Sequence, residues 1–260
     1  MQEGIATALW WLAFGGTHVG LSWAPVRKRL VARLGEGGFV LLYSVIAIGT
    51  FAGLVHYVAL HRFDDPHASL VSTIPPVHGA LLALSAFGFA LFITAVVVYP
   101  GLPMAAFRHR AMPARGVQQL TRHPFFSGIA IWAGAHALLA PSRVSFVFFI
   151  GAVVLCLFGA LHQDRRLVAE LGEPYRRYIA STSFWPFVAV VTKRQRIRWT
   201  EQPWITYAIG VGVSLGLYQV HGHIFDYGGA YIVGVVALGS IAALLSSRAR
   251  KGRDGGEVDV

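Results

Sequence analysis

Cysteine occurs once, at Cys156, so the chain can close no internal disulfide and build no cysteine metal cluster. Charge is scarce too: 13% of the 260 residues are Asp, Glu, Lys or Arg, against about 25% in an ordinary soluble domain. Acidic residues are the rarer sign, 12 against 22 basic ones. Asp164, Glu170 and Glu173 stand beside Arg165, Arg166, Arg176 and Arg177. Salt bridges are the expected use of such a cluster, which leaves little for acid/base chemistry by paired carboxylates. Ser127 and Thr17 have no His/Asp partner pattern, and nucleophilic catalysis is excluded on that ground. The start, Met1-Gln2-Glu3-Gly4, has no basic region ahead of the first apolar run, so no cleaved presequence is expected.

The missing charge is missing in blocks. Residues 4–26, 37–61, 66–107, 123–142, 144–163, 202–225 and 227–247 hold no Asp, Glu, Lys or Arg apart from Asp226 between the last two. A spanning helix needs roughly 20 mostly apolar residues. Six of these runs suit one span each. The longest holds one near 77–99, between Pro75-Pro76 and Pro100/Pro103. The expected fold is therefore all-α: a polytopic membrane bundle of about seven transmembrane helices. Residues 1–230 form its main domain, 231–247 an additional C-terminal helix, and 248–260 a charged, disordered tail.

The basic residues set an expected orientation. Of the 22 Lys and Arg, 20 fall in alternate connections and the tail, and only Arg62 and Arg143 on the opposite side. This is the positive-inside pattern, with the amino terminus outside and the carboxyl terminus inside. The net charge of +10 then serves anionic headgroups of a lipid bilayer, and nucleic acid is not an expected partner. Cys156 is expected to pack within the fifth span.

One stretch organises the chain: Thr121-Arg122-His123-Pro124, then apolar and small residues to His136. Pro124 suits the first turn of a helix, where no amide donor is needed. His136 follows His123 by 13 residues, about 20 Å along a helix. An ionisable ring at such depth is a functional-site hypothesis. A second lies in the first span, His18, among Gly15, Gly16 and Gly20. Two imidazoles from different helices can grip one haem iron from opposite faces, tuned by burial and hydrogen bonding. The slot would be floored by those glycines and Gly134. The bland alternative is that both rings only bond neighbouring helices. His18 counts about 12 Å from the inner edge and His136 about 20 Å, so a shared iron requires boundaries shifted by about a turn. His56 is the reserve ligand. Arg122, Arg165 and Arg166 can hold carboxylates of a ligand bidentately. His61, His67, Asp64 and Asp65 read as a solvated loop, His78 as interfacial, Arg108, His109, Arg110 and Arg115 as a topology loop. His221 and His223 close the sixth run.

Thr-Arg-His-Pro-x3-Gly-x3-Trp-x3-His over 121–136 resembles the NnrU family. So do Asp164-Arg165-Arg166, Tyr175-x2-Tyr178, 182–187 (Thr-Ser-Phe-Trp-Pro-Phe) and His18 with Arg27/Arg29. The resemblance covers most of 1–230. It implies membrane proteins linked to nitrite and nitric oxide metabolism in bacteria, and a plant and cyanobacterial zeta-carotene isomerase that uses haem b. It implies haem b on His18 and His136, residence in a bacterial inner membrane, and a small gas or a hydrophobic polyene as ligand. The isomerase has a cysteine three residues before its second ligand, where this chain has Ala133. Arg-His-Pro with Gly-x2-Tyr-x2-Tyr is also similar to membrane S-adenosylmethionine-dependent methyltransferases of the isoprenylcysteine and phospholipid type. There Arg122, His123, Tyr175 and Arg176 would hold the cofactor. Those enzymes present a Glu pair where this chain has Gln163-Asp164.

Overall fold

The computed structural model describes residues 2–66, 73–98 and 113–254, with only the backbone of 242–254. His67, Arg108, His109 and Arg110, read above as loop residues, lie outside the described residues. Among the described residues the fold is helical: α1 (Gln2–Ser22), α2 (Ala24–His61), α3 (Pro75–Val98), α4 (Pro124–Leu139), α5 (Arg143–Leu171), α6 (Glu173–Ser181), the single turn α7 (Val188–Val191), α8 (Trp204–Gln219) and α9 (Asp226–Asp254). Each charge-free run coincides with most or part of one of these helices, and α1, α2, α5 and α9 extend beyond their runs. Three of them, α2, α3 and α5, are long and apolar enough to cross a membrane. The helices α4 and 226–241 are apolar but shorter. Exposed Leu12, Leu41, Val45, Phe158, Ile205 and Val235 suit a lipid surround better than water.

Helix α2 breaks at Gly35, whose φ of 72° is left-handed. The basic segment before the break, tied down by the Arg27–Glu36 ion pair at 2.9 Å, thus separates from the apolar 36–61. Helix α4 is bounded by two prolines. Pro124 occupies its first turn. Pro141 disfavours helical geometry for the residue before it, and Ala140 is extended at φ −61°, ψ 130°. The helix therefore has 16 residues, about 24 Å of length.

The helices pack in the order α8–α3–α4–α5–α1–α2–α9. The closest crossing is α3 on α4, where two glycines face each other. A Cβ on Gly88 would stand 2.7 Å from the Gly128 carbonyl oxygen, and a Cβ on Gly128 would stand 2.6 Å from the Phe92 amide nitrogen. Small residues at a helix crossing let backbones touch, which is where dispersion and weak polar contacts hold helices together in an apolar solvent. A buried cluster of Leu54, Val58, Val144 and Phe148, flanked by Trp10, Trp11 and Phe14, joins α1, α2 and α5.

The two ends of this row, α8 and α9, are consecutive in sequence. Their link passes His221–His223 and then Phe225, which packs on the Leu54/Val58 cluster. Tyr227, Gly228 and Gly229 follow with φ of 54°, 64° and 79°. A Cβ at Gly228 would meet the His56 ring at 2.5 Å, and one at Gly229 would meet Val55 at 2.4 Å. Segment 220–229 is thus a strap pinned to α2 by left-handed backbone and absent side chains.

The glycine crossing yields a direct test. Gly128→Ala must push against backbone atoms, and overpacking of this kind costs about 1–3 kcal/mol. Gly79→Ala, with nothing within 4 Å of the new methyl, should be neutral. Thermal unfolding in detergent should lower the midpoint of the first variant only.

Candidate functional site

Helix α5 serves as a ruler for the positions of the histidines. Gly4 of α1 neighbours Arg143, Trp11 lies on Gly151, and Gly15 neighbours Leu155. Helix α1 therefore runs parallel to α5, and its register puts His18 level with Phe158. Helix α4 runs the other way: Phe126 touches Gly159 and His136 packs on Phe149 at 4.9 Å between ring centres. The two histidines are offset by roughly nine residues of α5, about 13 Å.

The structure therefore does not bring His18 and His136 together. His18 sits against Phe14 and Tyr43, with ring centres 5.4 and 5.1 Å away. Its Nε2 is 3.0 Å from the Tyr43 hydroxyl, and its Nδ1 is buried with no hydrogen-bond partner. His136 lies in the last turn of α4, at the end of the bundle that carries Arg62 and Arg143. Its distance from the charged end, about 20 Å, is the one counted from the sequence; because the prolines end α4 at Leu139, that depth puts His136 near the other end.

The predicted cofactor arginines belong to the opposite end. Arg122 donates through Nε and Nη2 to Asp164 at 3.0 and 2.9 Å. Arg166 is exposed and pairs with Glu170 at 2.6 Å, and Arg165 is exposed. On the α5 ruler they stand about 20 Å from His136, too far to reach a ligand centred there.

At that end Asp164 gathers a compact polar knot. Besides Arg122 it accepts His123 Nε2–H at 2.8 Å and the Tyr175 hydroxyl at 2.8 Å. Burial, then the Asp164 charge, pushes the Tyr175 hydroxyl well above the ordinary phenol range, so it stays a donor. The knot extends through neighbouring residues. Thr121 Oγ1 donates to the Phe184 carbonyl at 2.6 Å, Ser127 Oγ to the His123 carbonyl at 2.8 Å, and the Arg122 amide to the Ser183 carbonyl at 2.9 Å. Asp164 is ion-paired as expected, but with Arg122 rather than its sequence neighbours. The residues that resembled a methyl-donor site, Arg122, His123 and Tyr175, are committed to this carboxylate.

The histidine layer near Arg62 has different chemistry. His136 Nδ1 is 2.9 Å from the Trp132 carbonyl and 3.4 Å from Ser85 Oγ. A carbonyl only accepts, so Nδ1 carries the proton and Nε2 keeps its lone pair, the state in which histidine ligates metals. Trp132, with its ring centre 4.6 Å away, and Phe149 wall the ring. The imidazole of His221 stands 6.3 Å off, nearly parallel at 22°. His56 faces the strap instead, with Nδ1 3.4 Å from the Gly228 carbonyl. Among the described residues no group of three or more His, Cys, Asp or Glu side chains is placed to hold a metal ion. The sequence reading missed His221 as a neighbour of His136 and Tyr43 as the partner of His18. Both contacts join residues far apart in the chain, and nothing in the local pattern marks them.

Among the described residues this is a helical bundle with apolar helices compatible with a lipid bilayer, a charged knot at one end and histidine rings near the other. The chain belongs to the NnrU family, whose description, NnrU protein, matches residues 6–228. It is similar to the chloroplastic 15-cis-zeta-carotene isomerases of Zea mays and Arabidopsis thaliana. The first is 29% identical over 72% of this chain and 50% of the relative, the second 28% over 81% and 58%. The chain thus spans little more than half the length of these curated relatives. Both relatives are chloroplastic; compatibility with a membrane comes from the apolar helices of this chain, and the bacterial inner membrane stays an expectation. No solved structure matches.

Asp164→Asn should show what the knot is for. Asp164 and its partners His123 and Arg122 are nearly buried, with side chains 12%, 4% and 15% exposed. Removing one partner of a buried pair costs about 3–5 kcal/mol. Unfolding of the detergent-solubilised protein should shift down by that order, whereas Glu170→Gln on the exposed Arg166 pair should change it by less than about 1 kcal/mol.

Proposed function

We propose that the chain is an intramembrane haem b protein that acts on a long apolar polyene by cis–trans isomerisation, as the names of its relatives imply for them. The observation that carries this reading is His136. Its tautomer is held by the Trp132 carbonyl, its lone pair is on Nε2, and the rings of Trp132 and Phe149 flank it. When bound, haem would supply an iron whose redox state and axial ligation the protein can tune. The residues contribute the rest. His136 would hold the iron, Trp132 and Ser85 fix the ring, and Phe149 and Trp132 offer flat apolar walls for a polyene entering from lipid. The arginine knot around Asp164 sets the register of α4 and takes no part in the chemistry. We also take the chain to cross the bilayer seven times with its amino end outside, on the support of the Lys/Arg distribution.

A second reading rests on Ala133, where the resemblance places a cysteine in the isomerase. Without a thiol one turn from His136, the site suits a gas ligand or electron transfer in nitrite and nitric oxide metabolism. Turnover separates the two.

Protein purified in detergent after expression with ample haem should show a Soret band, and His136→Ala should lower haem content at least about tenfold, as loss of a ligand does. Incubation with a cis-configured carotenoid, reduced and oxidised, should yield trans product in one redox state. A Soret band without turnover would favour the second reading. Absence of the band would end both.

A further inference from the structure

Two grooves meet along 190–206, and neither is lined by a histidine. The first, of about 460 Å³, is lined by Val190, Lys193, Gln195, Arg196, Ile197 and Trp199. The second, of about 370 Å³, is lined by residues 202–206. They join at Trp199 and Trp204, which are 61% and 55% exposed and stack at 5.9 Å and 13°. The cations of this segment divide by use. Arg194 donates to the Ala180 and Thr182 carbonyls, and Arg198 pairs with Glu201 at 2.9 Å. Glu201 is held in turn by Gln119 at 2.7 Å. Lys193 and Arg196 are exposed in the first groove and, among the described residues, take part in no ion pair. We propose that this groove binds the headgroup phosphate of an anionic phospholipid, held by Lys193 and Arg196, with acyl chains along Val190, Ile197 and the tryptophan pair. The site is independent of the haem reading above.

The loop that carries both cations is tied at each end. The carbonyl of the buried Ala189 accepts the amides of Arg194 and Gln195 at 2.8 and 3.0 Å, and its amide donates to Ser183 Oγ at 2.9 Å. The Arg198 amide donates to Gln119 Oε1 at 2.7 Å. Lys193 closes α7 in the left-handed region at φ 58°, where glycine is the unstrained residue. The place in the bundle fits a headgroup. The Phe187 amide donates to the Leu120 carbonyl at 3.0 Å, which sets the segment at the Asp164 end. Thr206 Oγ1 donates to Thr94 Oγ1 at 3.1 Å, so the groove stands near the end of α3, a helix long enough to cross a membrane. The neighbouring surface turns apolar: Val191, Ile205 and Val97 are 78%, 77% and 51% exposed. Tryptophan favours the boundary between headgroups and acyl chains, and Arg and Lys side chains both bind phosphate. A nucleic acid calls for cations continued along the surface, whereas here they give way to apolar side chains. A zwitterionic headgroup would bring its own cation against these two, so the occupant carries net negative charge.

The test is native mass spectrometry of the full-length protein in detergent, with dioleoylphosphatidylglycerol or dioleoylphosphatidylcholine added at equal concentration. Wild type should retain the phosphatidylglycerol about tenfold or more in preference to the phosphatidylcholine. Lys193→Gly keeps the left-handed backbone and removes the charge, so it should fold as wild type and lose about fivefold in that preference. Lys193→Gly combined with Arg196→Gln should abolish it. Arg165→Gln combined with Arg177→Gln removes two exposed cations from the same end of the bundle and should leave it in place. Inorganic phosphate in millimolar excess should not displace the lipid, since it has no acyl chain for the apolar wall. Equal retention of the two lipids by wild type, or an unchanged preference in the 193/196 variant, would overturn the site. An equal loss in the 165/177 variant would reduce it to diffuse surface charge and overturn it as well. Displacement by inorganic phosphate would reassign the groove to a soluble anion and overturn the lipid.

Discussion

The Asp164 carboxylate is the contact on which the arrangement of the rest depends. It sits near the end of α5 and receives donors from three places: Arg122 and His123 just before α4, and Tyr175 on α6. A buried carboxylate with this many charge-assisted and hydroxyl bonds is stable only when every donor is in position. The start of α4 is therefore fixed against the end of α5. From that point the length of α4 is set by prolines, and the register of each residue along α5 follows. His136 lies where it does because His123 is anchored 13 residues earlier and Pro141 ends the helix soon after.

That constraint also sorts the motif residues by role. Thr121, Arg122 and His123 are prominent because each satisfies a partner in the knot, not because each faces a ligand. The intramembrane histidines divide in the same way. His18 is held in an aromatic slot by Tyr43, His56 braces the strap, and only His136 combines a fixed tautomer with a second imidazole nearby. A motif that reads as one site in sequence is split in space, with Arg122 and His123 at the Asp164 end and His136 at the Arg62 end.

The helices themselves were legible because charge is excluded from a span for the plain reason that ions are costly in hydrocarbon. The charge-free runs therefore marked the apolar part of each helix, while α2, α5 and α9 continue well beyond their runs into charged sequence. The position of His136 inside such a run was legible too, since a polar ring there stands out. Which residues it meets was not legible. Counting from the charged edge gave its distance from that end, about 20 Å, but not the end of its helix, because the run 123–142 continues past the Ala140–Pro141 break without a charge to mark it. The partner of Asp164 was misjudged for a related reason. Arg165 and Arg166 are adjacent in sequence but point elsewhere around the helix, and Arg122 comes from a connection whose path only the fold reveals. His221 belongs to a short link after α8, and a link has no periodicity from which to read its position.

Chain connectivity explains why that link comes to α4. Seven helices laid side by side at 8–10 Å spacing would extend about 50 Å from α8 to α9. Gln219 and Asp226 are the facing ends of those helices, and a chain of this length reaches at most about 25 Å. The row therefore has to curl until its ends are within reach of the link, and the link has to cross the opening at the end of the bundle that the curl creates. Helix α4 stands two places from α8 in the row, so its last turn lies beneath that crossing. His221 meets His136 as a consequence of a short connection closing a long row. The strain at Tyr227 falls where the chain must turn from the crossing into α9. The contact between His136 and His221 therefore depends on the least regular segment of the fold rather than on any one helix.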